Sequence, residues 1–207
     1  NTMQYGSNIN SYSNVQYHLP ADMLPYSTTF KVGHTPGRAG GTANDSSHSV
    51  VGDSHAGEMT QYAITTAPID GLTIAGSYYD FGQMGKQDGR QKKEGGSLSG
   101  NYKVGSFSLG YGETRFAPNQ AMGGAVATNK TDYYANKLYS IGFAVNDALS
   151  VSFTEEESEK NVKQKSVAAV TTRADVTMEI QTIDVAYTVG GAPFSVSSSE
   201  ATNDSYT

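Results

Sequence analysis

The chain has 207 residues, a net charge of −6, 23 glycines, 14 tyrosines, no tryptophan and no cysteine. Without thiols there is no disulfide framework, thiolate metal site or cysteine nucleophile, and mild acidity with no basic stripe argues against a nucleic-acid partner. Leu, Ile, Val and Phe fill only 36 positions, fewer than the roughly 20% of an ordinary globular core, while the aromatics and modest charge do not suit disorder.

The expectation is therefore a structure that buries little on its inner side. No stretch approaches the ~18 apolar residues of a membrane helix, and no basic segment followed by an apolar run marks a signal peptide at the start. The chain opens on Asn1-Thr2-Met3 and closes on the polar stretch 203–207. It is expected to be a piece cut at both ends, with residues 1–207 forming one incomplete domain.

Five hairpins follow in chain order. "SNVQYHLPADMLPYSTTFKVGH" is the first, with two prolines at its bend, and "QYAITTAPIDGLTIAGSYYDF" the second. In the third, "GGSLSGNYKV" and "FSLGYGETRF" flank Gly105-Ser106, a two-residue loop of the kind that favours primed turns. Pairing Val104 with Phe107 sets Tyr102 against Leu109 and puts the apolar residues on one face. The fourth, "SIGFAVNDALSVSF", alternates apolar and small residues in the period of a half-buried strand. A three-residue loop, Asn146 to Ala148, pairs Val145 with Leu149 and keeps the faces consistent, whereas a loop of Asn146-Asp147 alone would mix them. In the fifth, "IDVAYTV" and "FSVSSSE" are predicted to pair Val189 with Phe194 across Gly190 to Pro193.

These hairpins supply about ten strands. The segments between them, roughly 35–57, 82–94, 117–134 and 158–177, are long and polar, so short turns and long loops alternate. The hairpin centres recur every ~36–46 residues, but a propeller blade needs four strands in such a period and only two are present. Strands facing a packed second sheet also alternate, so the pattern alone leaves a soluble sandwich open. Three features favour lipid. The second face is rich in Ser, Gly, Thr and Asn, the loops are long at one end only, and Tyr and Phe gather toward strand ends (Tyr26, Phe81, Phe107, Tyr133, Tyr134, Tyr139, Phe153, Tyr187, Phe194). Together they suggest an antiparallel up-and-down transmembrane β-barrel, all-β, with short turns at one rim and long loops at the other. Such strands must close, because an open edge in hydrocarbon leaves backbone groups unpaired.

The phrases "LYSIGFAVNDALSVSFTEE" and "IQTIDVAYTVGGAPFSVSSSEATNDS" resemble the C-terminal portion of the general porins of Gram-negative bacteria, of the marine bacterial type. "NTMQY" and the first hairpin look like the porin segment that follows the constriction loop. The resemblance covers most of the chain in pattern and is most specific from Lys137 to Asn203. It implies a 16-stranded barrel, about ten strands of which are present, assembled as a homotrimer in the outer membrane. The implied function is passive diffusion of small hydrophilic solutes and ions through a water-filled lumen, in contact with membrane lipid and lipopolysaccharide. The family's terminal aromatic strand and its acidic constriction-loop motif are not found here. No cofactor and no enzymatic activity are expected.

Chemistry-bearing clusters are few. His34, His48 and His55 lie in or beside one connection with Asp45 and Asp53, but nothing fixes them on one face for a metal. "TEEESE", Thr154 to Glu159, is read as a solvated charge run at a strand top rather than a divalent-cation site. The Asn-x-Ser/Thr sequences at Asn44, Asn129 and Asn203 matter only in a eukaryotic secretory route. Nothing sets a nucleophile beside a base. The residues predicted to line a pore are Gln16, Lys31, Lys103 and Asp184, polar positions of the inner parity. A charge there faces water, whereas one facing lipid at midplane costs about 2–4 kcal/mol. Glu113 and Arg115 fall on the apolar parity, which requires that their strand has left the bilayer. The readings kept beside the porin are a secreted or surface β-sandwich acting in binding or adhesion, and a non-porin outer-membrane barrel with a plugged interior.

Overall fold

The computed structural model describes residues 14–20, 23–35, 38–39, 55–56, 59–82, 91–118, 131–162 and 175–206. The strands in chain order are β1 (Val15–His18), β2 (Thr29–Thr35), β3 (Arg38–Ala39), β4 (His55–Ala56), β5 (Met59–Ile69), β6 (Leu72–Phe81), β7 (Glu94–Val104), β8 (Phe107–Ala117), β9 (Thr131–Ala144), β10 (Leu149–Val162), β11 (Val176–Val189) and β12 (Ala192–Thr202), followed by a 3-10 turn (Asp204–Tyr206). Ten of them form one antiparallel sheet in the order β1-β2-β5-β6-β7-β8-β9-β10-β11-β12. β3 and β4 pair as a separate two-stranded ribbon. Every neighbour in the large sheet is the previous or next long strand, so the topology is strictly up-and-down. The turns at 70–71, 105–106, 145–148 and 190–191 therefore share one end of the strands, here the turn end, and the long connections share the other, the loop end.

Local chemistry explains each turn. Gly105 takes φ 57° between the paired Val104 and Phe107, as a two-residue primed turn requires. In the β9–β10 loop, the Asn146 side-chain oxygen accepts from the backbone N–H of Ala148 and of Leu149, each at 2.9 Å, and the N–H of Val145 donates to the carbonyl of Leu149. This Asx turn is the three-residue loop expected from face parity. The β11–β12 turn differs from expectation. Gly190 and Gly191 both take positive φ, so the turn is only two residues long, and Val189 pairs with Ala192 while Tyr187 pairs with Phe194. The predicted register was two residues off, a slip that leaves every side chain on its own face because the side-chain period is two.

Pro68 marks the one irregularity between β5 and β6. Pairing runs regularly to Thr66↔Ile74 and then shifts to Ile69↔Leu72. Proline has no N–H to give to a ladder, and the resulting bulge moves Ile69 onto the same face as Leu72. The hairpin tip beyond it is held against β7, since the Lys103 N–H donates to the Gly71 carbonyl at 2.8 Å. Gly71 has φ 77°, and a Cβ there would lie 2.2 Å from the Lys103 carbonyl oxygen. Only glycine fits.

The strands run further toward the loop end than the hydrophobic pattern predicts. Residues 131–134, 158–162 and 176–177, expected in loops, are paired strand. The run Thr154 to Glu159 lies inside β10, not at a strand top. These stretches are polar on both faces, so they read as loop although their backbones complete a ladder.

Candidate functional site

The two faces of the sheet differ in chemistry, and each face changes along the strands. On one face, Tyr102, Val104, Phe107, Leu109, Ile141, Phe143, Val151, Phe153, Ile183, Val185, Tyr187, Phe194 and Val196 form a continuous apolar belt at the turn end. Many are open to the surroundings: Phe107 is 48% exposed, Phe143 39% and Val196 72%. Phe143, Val145 and Val151 are thus exposed on this face, with no packed core against them among the described residues, and Leu149 is half-buried. Phe107 and Phe143 pack with tilted rings, centroids 4.7 Å apart, as do Tyr111 and Tyr139 at 5.4 Å, adding cross-strand attraction.

From β7 to β12 the belt includes one whole row, Val104–Phe107–Phe143–Val151–Val185–Val196, but its loopward edge does not keep to one row. One row reads Tyr17–Val32–Tyr62–Tyr78 on β1 to β6, yet becomes Arg115 on β8 and Glu159 on β10. On β10 the belt is centred near Val151, eight residues further toward the turns than Glu159. Val196 on β12 shares the Val151 row, so from β1 to β12 the loopward edge of the belt shifts by eight residues over nine strand steps, all of it after β6. With ~3.3 Å per residue and ~4.8 Å per strand, it crosses the strands about 30° off the perpendicular.

Beyond the belt, the same face becomes charged. Glu113, Lys137, Glu157 and Glu179 form one row across β8 to β11, and Arg115 Nε reaches Glu113 at 3.3 Å. On the β6–β7 side, Lys92 bridges Asp80 at 3.0 Å and Glu94 at 3.2 Å. The hydrogen bond to Asp80 outweighs the partial burial of the ammonium and holds Lys92 above its ordinary pKa, with Glu94 adding to the effect. Tyrosines mark the border: Tyr78 Oη donates to Glu94 at 2.7 Å and Tyr111 Oη to Glu113 at 3.2 Å. Their rings lie on the apolar side and their hydroxyls on the wet side.

The opposite face is polar. Gln16, Lys31, Lys103 and Asp184 all lie on it, as their parity requires. Gln16 bonds His18 at 3.0 Å, and Lys31 opposes His18 and Ala63. Lys103 and Asp184 share one row, Lys103–Ser108–Gly142–Ser152–Asp184–Ser197, with only Ser and Gly between them. The four do not converge; they are spread over the sheet from β1 to β11.

A row of hydrogen bonds that face parity alone did not reveal lies closer to the loop end. Ser77 and Ser97 hydroxyls meet at 2.7 Å, Asn136 Nδ2 donates to Thr114 Oγ1 at 2.8 Å, and Ser158 Oγ donates to Asn136 Oδ1 at 2.5 Å. All five residues occupy a single row from β6 to β10. Toward the turns from it lies a groove of about 290 Å³ lined by Thr73, Ser99, Asn101, Thr114, Asn136 and Ser140, among others. Gly110 lets Ser140 lie close, for a Cβ there would stand 2.3 Å from its hydroxyl.

Toward the loop end, this polar face carries a buried apolar cluster. Met59, Tyr79, Phe81 and Phe116 are buried together with Tyr134 against them, and Phe116 stacks on Tyr134 at 10° between planes. The buried Lys93 sets its ammonium 4.8 Å from the centre of the Phe81 ring, a cation–π contact. Phe81 and Tyr134, expected in an interfacial girdle, therefore belong to the polar face, whereas Phe107, Tyr139, Phe153, Tyr187 and Phe194 lie on the apolar face as expected. Neighbours such as Tyr78 and Tyr79 point to opposite faces, and clustering of aromatics in sequence hides that.

His34 Nδ1 lies 3.0 Å from Thr60 Oγ1 on the apolar face. The other members of the proposed histidine group, His48, Asp45 and Asp53, and the side chain of His55 fall outside the described residues, as do Asn44 and Asn129. Asn203 uses its amide to donate to the Thr177 carbonyl at 2.8 Å. No protein-family model matches the chain, and no curated protein matches it at a significant level.

Proposed function

We propose that the sheet is part of the wall of an outer-membrane porin, passing small hydrophilic solutes and ions by passive diffusion. One observation carries the reading: an exposed apolar belt whose loopward edge steps toward the turns, from Tyr78 on β6 to Tyr111 on β8, Phe153 on β10 and Val196 on β12. A flat lipid slab cuts tilted strands in this way, and transmembrane barrel strands tilt by about 35–45°. The polar face, made of Ser, Gly, Thr and Asn with scattered charges, suits water.

The reading extends to a closed barrel in a Gram-negative outer membrane, assembled as a trimer against lipid and lipopolysaccharide, as the resemblance to general porins implies. Charges that line the water path, Lys31, Lys103 and Asp184 among them, then bias which ions pass. A sandwich is disfavoured by the single ten-stranded sheet with its apolar side chains bare. The plugged-barrel reading keeps one observation in its favour, the buried aromatic cluster at the loop end of the polar face. Planar-bilayer recording with the complete wall, the full-length protein, separates the two. Steady stepwise conductance supports diffusion, and insertion into lipid without conductance supports a plugged wall.

A further inference from the structure

We infer that Tyr206 sets the narrowest passage at the loop end of the polar face, and so acts as a size-determining residue; this rests on the channel reading above. The segment after β12 does not continue along the sheet. Asn203 takes φ 52°, its amide is tied to the Thr177 carbonyl, and the Tyr206 N–H donates to the Asn203 carbonyl at 2.9 Å. The chain thereby turns inward across the wall. Tyr206 itself takes φ 61°, a conformation that a bulky residue adopts only when its surroundings hold it there.

Its ring comes to rest over β9 and β10, two strands from where it left the sheet, a reach of roughly 10 Å at the usual strand spacing. The Tyr206 and Tyr134 rings are 5.5 Å apart, and Lys160 Nζ stands 5.7 Å from the Tyr206 ring centre. The hydroxyl meets Ser158 Oγ at 2.5 Å, joining the hydrogen-bonded row through Asn136 to Thr114. Ser158 and Met178 beneath are fully buried. With the Phe116–Tyr134 stack, the ring makes an aromatic sill across β8 to β10, just loopward of the groove. A solute moving along the polar face must cross it. Size, more than charge, decides whether it does.

Two measurements on the full chain test this. In planar bilayers, Tyr206→Ala is expected to raise single-channel conductance by roughly 1.5-fold, because a wider constriction conducts more. In liposome swelling, the same change raises the rate for a trisaccharide more than for a monosaccharide, while Tyr206→Phe keeps the wild-type ratio because the ring remains. Glu200→Gln, on the outer face of β12, serves as the control and leaves both unchanged. Since the chain has no cysteine, Tyr206→Cys gives a second route if alanine impairs insertion: a water-soluble thiol reagent should lower conductance in proportion to its bulk. A conducting wild type whose size ratio is unmoved by alanine overturns the inference alone, as does a Tyr206→Cys variant that takes up the reagent with no change in conductance. A wild type that inserts but never conducts overturns the channel reading with it.

Discussion

The turn half and the loop half of the sheet are built from the same strands, yet they place their apolar side chains on opposite faces. In the turn half, the apolar side chains are bare on one face and the other face is an open polar surface. In the loop half, the first face carries Glu113, Lys137, Glu157 and Glu179, and the buried apolar cluster of Met59, Phe81 and Phe116 sits on the second. Side chains alternate between the two faces in both halves, but what each face carries changes along the strand. Alternation therefore tells which residues share a face, and the level along the strand tells what that face meets.

The sharpest way to break this comparison is to exchange charge between the halves of one face. Ile141→Lys, in the belt, should destabilise insertion into lipid by about 2–4 kcal/mol. Glu157→Lys, on the same face of the adjacent strand but in the charged half, should stay within about 0.5 kcal/mol. Urea titration of folding into phospholipid vesicles measures both. Equal effects would show that the two halves meet the same medium.

On the opposite face, Asn136→Ala removes the amide partner of Thr114 and one of the two partners of the buried Ser158, which keeps the Tyr206 hydroxyl. A cost of about 1–3 kcal/mol is expected for polar groups left unsatisfied, read by the same titration. Ser195→Ala, in the open turn half, should change stability by less than about 0.5 kcal/mol. At the hairpin tips, Gly71→Ala should cost about 1–3 kcal/mol for strain at positive φ. Gly100→Ala, where a Cβ meets nothing within 4 Å, should be near neutral. The smallest effect concerns ions: Lys103→Glu should shift the zero-current potential under a salt gradient toward cations. Glu157→Gln, on the outer face, should shift it less, since salt screens charges there within about 8–10 Å.

Much of the fold could be read from the chain because parity is a local property. Val104 with Phe107 and Val145 with Leu149 follow from a few residues on each side of a turn, and the structure keeps both pairs. The β11–β12 register could not be fixed in this way, since a slip by two residues preserves every face. The overrun of β9, β10 and β11 was hidden because a strand polar on both sides has no hydrophobic signal. The four pore candidates landed on the polar face, but the row from Ser77 to Ser158 depends on registers accumulated over five strands. Tyr206 lay beyond the last patterned strand, where nothing in the sequence shows that the chain turns back.

Because each strand of the large sheet pairs only with the long strands next to it in sequence, no hairpin depends on a distant one for its hydrogen bonds. Ladder formation can proceed as a zipper, each new strand docking on an edge already laid down, with only short loops to close. The same connectivity makes the hairpin a unit of inheritance. Adding or losing one changes the width of the sheet in steps of two strands, while the turns and rows of the others carry over unchanged.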